Sequence, residues 1–190
     1  YRMAREGWLG KIFELHTVMS KTSSEGARRE MALFRGGAMF ELGCHIIDSA
    51  VYVLGKPTTV TPHLRQTKND GLFDNTLAVL DYPDATATVR SALVEFDGFR
   101  RRQFVVCGDQ GTVDIKPMEP PTMQLGLRKA MGSFRKGYQT VDLKKSPGRY
   151  DGEFLDLAKI IRGEKAPNFS HAHDLATHET ILRASNMPLD

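Results

Sequence analysis

The chain has 190 residues, 41% of them apolar and 26% charged, which describes one globular domain able to bury a core without disulfide or metal staples. A formal net charge of +3 is too small to suggest nucleic acid, and no run approaches the roughly 18 apolar residues of a membrane helix. Cys44 and Cys107 stand alone in apolar stretches and read as reduced core thiols; with no visible signal peptide, they point to the cytoplasm.

Residues 10–20, GKIFELHTVMS, partly alternate apolar and polar and predict a strand. Residues 21–35 are mostly polar and basic and predict a loop. The stretch 36–55, GGAMFELGCHIIDSAVYVLG, is apolar on one side and closed by Gly55 and Pro57, a helix with a glycine stop. From about 58 to 145, short runs rich in Val, Thr, Leu and Phe recur between turn signals such as Asp97–Gly98, with no room for crossover helices. Two helices follow, over 150–162, with Tyr150, Phe154, Leu157 and Ile161 on one face, and over 171–185, with Ser170 as N-cap. This order predicts an α+β domain: one large, open, mostly antiparallel sheet with helices on one face. The other face must meet solvent or a partner, so the chain is expected to form a homo-oligomer, a dimer or tetramer, through it.

The helix over 36–55 carries the sharpest chemical signal. At about 100° per residue, Glu41, His45, Asp48 and Tyr52 fall within about 60° of one another. This polar stripe lacks lysine and holds groups that exchange protons or bind hydroxyls. A carboxylate four residues before a histidine comes within reach of its imidazole and can fix its tautomer. Gly36 and Gly37, just ahead, would let a ligand approach the free N–H groups of the helix start. Spacing alone leaves open a solvated face with a chance histidine.

The phrase RGGAMFELGCHIIDSAVYVLGKP resembles the motif of the glucose–fructose oxidoreductase/inositol dehydrogenase (Gfo/Idh/MocA) family: three glycines, then Asp, Gly and His, then Asp. VVCGDQGTVDIKP and the closing stretch RYDGEFLDLAKIIRGEKAPNFSHAHDLATHETILRAS are similar to later phrases of the same family, so the resemblance covers nearly the whole chain. It implies a dihydrodipicolinate reductase-like C-terminal domain over 1–190, used for substrate binding and oligomerisation. It implies His45 as catalytic acid/base, assisted by Glu41, with Glu41, His45, Asp48, Gly36 and Gly37 as substrate-binding residues and Asp48, the trailing acid, orienting the helix or the histidine. The chain departs from the pattern in two places: Ala38 replaces the third glycine, and Glu41 is one methylene longer than the usual Asp.

The family's dinucleotide fingerprint, GxGxxG after a strand, is absent, as is its Glu-Lys-Pro tripeptide. The resemblance therefore implies that NAD or NADP is bound by a separate Rossmann half, and that the chain alone is a fragment with no cofactor and almost no dehydrogenase activity. The implied substrate is a sugar, cyclitol or related polyol. A non-catalytic binding or assembly module that kept the fold is the alternative.

The remaining signals read as ordinary surface. His171, His173, Asp174 and His178 offer too few converging ligands for a metal. Arg100–Arg101–Arg102 and the basic stretch 128–145 read as a sheet edge guarded by positive charge, not a nucleic-acid face. Tyr1 and Trp8 are expected to pack against the other half.

Overall fold

The computed structural model describes residues 1–33, 35–143, 148 and 150–189. In chain order the elements are α1 (Arg2–Arg5), β1 (Ile12–Ser20), α2 (Glu25–Met31), and a π-helical turn (Met39–Gly43) that runs directly into α3 (Cys44–Leu54). Then come β2 (Thr59–Arg65), β3 (Asn75–Asp81), β4 (Thr86–Ala92), a 3-10 turn (Gly98–Arg101), β5 (Gln103–Gly108), β6 (Gly111–Met118), β7 (Pro121–Leu127) and β8 (Gly137–Val141). The chain closes with α4 (Asp151–Ile161) and α5 (His171–Ala184).

All eight strands form one open sheet in the order β2-β3-β4-β1-β5-β6-β7-β8. Every neighbouring pair is antiparallel except β1 and β4. The long connection through α2 and α3 leaves β1 free to take the centre, between β4 and β5, while the later strands pair mainly through hairpins. Burial alternates along β3, where Thr76, Ala78 and Leu80 point into the core and Leu77 and Val79 to the other face. α3 buries Ile46, Ile47, Ala50 and Val51 against Leu15, Met19, Ala87 and Val89 of the central strands. α5 packs on α3 and β2. The expected open, mostly antiparallel sheet is observed. No helix among the described residues is long and apolar enough to cross a membrane.

Several local expectations are corrected. Residues 25–31 form a helix, not a loop, capped by the Ser24 hydroxyl, which accepts the Ala27 N–H. No apolar stripe announced it because its one buried side chain is Arg28. Arg102 is not a sheet-edge guard: β5 is an interior strand, and the Arg102 side chain is buried at its start. The α4 stripe of Tyr150, Phe154, Leu157 and Ile161 exists, but each of its residues is more than half exposed. Within the chain, Tyr1 packs edge-on against Tyr52 and Phe104, and Trp8 against Phe134, while Tyr1 stays more than half exposed. Lys144, Lys145 and Arg149, parts of the expected basic stretch and of the closing phrase, lie outside the described residues.

Arg28 ties α2 to the loop before β3. Its guanidinium reaches Asp70 at 2.7 Å and the fully buried Asp74 at 2.8 Å. Hydrogen bonds from Arg28 hold the Asp70 carboxyl below the usual carboxylate range, and those from Arg101 do the same for Glu95. A depressed folded pKa gives stability that is present above the unfolded value, about 4, and is lost as pH falls through the folded one. Thermal midpoints are therefore expected to be flat from pH 7 to about 5 and to drop below about 4, where the two carboxylates protonate. A midpoint that rose between pH 5 and 3 would contradict this sign.

Candidate active site

Glu41 sits on the π turn and His45 in the first turn of α3, on the side facing away from the core. π turns widen the backbone and recur at functional sites. Glu41 and His45 line one cavity of about 490 Å³ together with Met19, Lys21, Leu42, Phe99, Arg102, Glu119, Tyr150 and Glu153. That volume falls within the usual range for a small-molecule site. Its walls come from five places in the chain: the end of β1, the π turn with α3, the 3-10 turn before β5, the β6–β7 hairpin and the start of α4.

Glu41 does not pair with His45. Its carboxylate accepts from Lys21 Nζ at 2.9 Å. Lys21 follows directly on β1 and is fixed by its backbone, its N–H donating to Ala92 and its carbonyl accepting from Glu95. An ammonium already fixed at that distance is a stronger partner for a carboxylate than a neutral imidazole. The widened turn also loosens the regular i,i+4 alignment that a helical wheel assumes. The His45 ring is exposed and forms no hydrogen bond or ion pair with another described residue.

Asp48 is engaged by α5. Its Oδ1 lies 2.9 Å from His173 Nε2, and the His173 ring stacks on Phe169 at 4.9 Å. The pair joins α3 to α5 outside the Glu41–His45 cavity. Tyr52 is drawn into the same joint, edge-on to Tyr1 and Phe169, with Arg5 over its face. The stripe read as one functional face is thus divided. Glu41 and His45 look into the cavity, and Asp48 and Tyr52 lock the helices. His173 belongs to that joint, and no group of three or more His, Cys, Asp or Glu side chains among the described residues is placed to hold a metal.

Gly36 and Gly37 are buried, and their lack of a side chain serves close packing. Both have positive φ, and a Cβ on Gly37 would lie 2.3 Å from the Phe73 carbonyl oxygen. A Cβ on Gly36 would strike Phe40, Met187 and Ser185. The pair lets the helix start pass close beneath the β3 entry and the end of α5. Together with Arg35, Leu64 and Asn186 they line a neighbouring cavity of about 320 Å³.

Sequence reasoning missed Lys21, Phe99, Arg102, Glu119, Tyr150 and Glu153. Each reaches the cavity through tertiary folding, with no local motif to mark it. Burial pushes the Cys44 thiol up, beside this cavity, so it stays protonated and poorly nucleophilic near neutral pH.

With the geometry in place, comparison with known proteins is informative. A family model described as GFO/IDH/MocA C-terminal domain matches residues 1–114, more than half of the chain. No curated protein matches the chain. The fold is similar to that of a Caulobacter crescentus aldose-aldose oxidoreductase solved with glycerol, at 21% identity and a TM-score of 0.72, over 97% of this chain and 56% of that one. It is similar to an NAD binding oxidoreductase from Klebsiella pneumoniae, at 12% identity and TM-score 0.75, over 97% and 58%. A levoglucosan dehydrogenase in complex with NADH and levoglucosan also matches, at 16% identity and TM-score 0.74, over 97% and 59%. The chain spans a little over half the length of these structures, and at such identities the likeness concerns the fold. The matching family model and the shared sheet architecture place this chain in the GFO/IDH/MocA oxidoreductase family, as a C-terminal domain.

Proposed function

We propose that the chain is the substrate-facing half of an NAD(P)-dependent oxidoreductase that acts on a sugar, cyclitol or related polyol. The observation that carries this reading is the His45 imidazole, exposed beside Glu41 and Lys21 and unpaired among the described residues, in a cavity rich in hydroxyl-binding groups. No glycine-rich strand-to-helix turn suited to a dinucleotide occurs in the sequence, so nicotinamide would be bound by a separate half of the protein and supply the hydride acceptor there. Within this chain, Glu41 and Lys21 would hold substrate hydroxyls. His45, with its ring free, would take the proton from the reacting hydroxyl as hydride leaves the same carbon.

The open face of the sheet, where Leu77, Val79 and Val105 lie half-buried, would carry the contact between copies in a dimer or tetramer. The relatives solved with glycerol and with NADH and levoglucosan support the polyol and nicotinamide readings by likeness of fold. The test is a panel of sugars and cyclitols offered to the complete protein with NAD⁺ or NADP⁺. Polyol-dependent reduction of nicotinamide is expected. Polyol binding without any turnover on the panel would favour the non-catalytic module.

A further inference from the structure

The cavity contains one feature that proton chemistry does not use. Phe99 stands on the 3-10 turn at its rim, 48% exposed. One face of the ring is closed: the Arg102 guanidinium carbon lies 3.8 Å from the ring centroid. That guanidinium is itself buried and anchored, Nε donating to the Ser20 carbonyl at 3.2 Å and Nη1 to Glu119 at 3.1 Å. The turn has little freedom to move. A Cβ on Gly98 would lie 2.9 Å from the Ser20 carbonyl, so this turn is packed directly on the end of β1. Arg102 N–H donates back to the Phe99 carbonyl. An exposed aromatic that merely faced water would not need a buried cation beneath it and a glycine-tight turn below. Phe99 is a flat apolar surface held rigid, with Glu41, His45 and Lys21 lining the same cavity.

We propose that Phe99 is the platform on which a cyclic substrate stacks. The proposal rests on the polyol reading and narrows it to ring compounds. A pyranose or cyclitol ring has two chemically distinct aspects. Its edge presents hydroxyls, which suit Glu41, Lys21 and His45. Its flat side presents C–H bonds, which bury well against an aromatic face. An open-chain polyol carries the same hydroxyls but has no persistent flat side, and it loses more conformational freedom on binding. Phe99 would thus select rings over chains and set which side of the ring faces the hydrogen-bonding groups.

The test is binding of methyl glucoside, myo-inositol and open-chain sorbitol to the complete protein, titrated by ligand-observed NMR. It uses the unmodified protein and Phe99→Ala, Phe99→Tyr and His45→Ala. The unmodified protein is expected to bind both ring compounds at least threefold more tightly than sorbitol. Phe99→Ala should weaken ring binding about tenfold and sorbitol binding little, and Phe99→Tyr should keep the preference. If Phe99→Ala binds the rings normally while His45→Ala does not, the platform is wrong and the polyol site stands; Phe99 is then a contact for another part of the protein. If Phe99→Ala weakens rings and sorbitol equally, selection of rings is wrong. If the complete protein binds none of the three, the polyol reading falls, and the platform with it.

Discussion

Arg28→Met is expected to destabilise the domain by about 3–5 kcal/mol, seen as a lower urea midpoint at an unchanged slope. Arg28 is 2% exposed and Asp74 not exposed at all, so the ion pair between them is out of water. Asp74 also accepts from the Thr67 N–H at 2.8 Å and the Thr67 hydroxyl at 2.6 Å. Its carbonyl accepts from Leu93 N–H and its own N–H donates to Arg65. One carboxylate thus organises the turn that leads into β3. Methionine fills much of the arginine's volume but leaves that carboxylate charged, buried and short of its counter-charge. Such a loss costs far more than breaking an exposed pair, which is worth about 0–1 kcal/mol. Adding Asp74→Asn removes the stranded charge while keeping a side-chain oxygen for Thr67, so the double variant should recover part of the loss. If Arg28→Met cost under about 1 kcal/mol, comparable to an exposed pair, the bridge would have no role in holding α2 to the sheet.

The sheet was readable from sequence because each strand carries its own period-two pattern between turn residues, and β3 and β5 are plain examples. The helices over 39–54 and 171–184 were readable from their caps and stops, Ser170 accepting from His173 and Gly55 at a φ of 82°. α2 escaped because its buried member is an arginine, which no hydropathy pattern flags. The cavity was only half legible. Glu41 and His45 share a helix, so spacing places them together. Lys21, Arg102, Glu119 and Tyr150 come from four other segments, and only tertiary folding, including the pairing of β1 with β5 for Lys21 and Arg102, brings them there. The wheel gave the direction of Asp48 but not what waits there, since His173 lies 125 residues away. The α4 stripe shows the converse: a face correctly read as apolar stays more than half exposed.

His45→Ala in the complete protein is expected to lower turnover about 10²–10⁴-fold, the usual contribution of a positioned general base. The fold should not suffer. The His45 ring is exposed and has no hydrogen bond to another described residue, so its removal should change stability by no more than about 0.5 kcal/mol. That contrast separates a chemical role from a structural one, as Arg28→Met should do the reverse. Added imidazole should restore part of the His45→Ala rate, because the vacated space opens onto the cavity. Glu41→Gln is a finer probe. It keeps the shape but removes the charge that holds Lys21, and the exposed pair itself contributes at most about 1 kcal/mol of stability. If Glu41 assists proton transfer, Glu41→Gln should lower kcat; if it only holds substrate hydroxyls alike in the ground and transition states, KM should rise with kcat unchanged. Near-normal turnover in His45→Ala would remove the imidazole from the reaction and leave Glu41 and Lys21 as a binding pair.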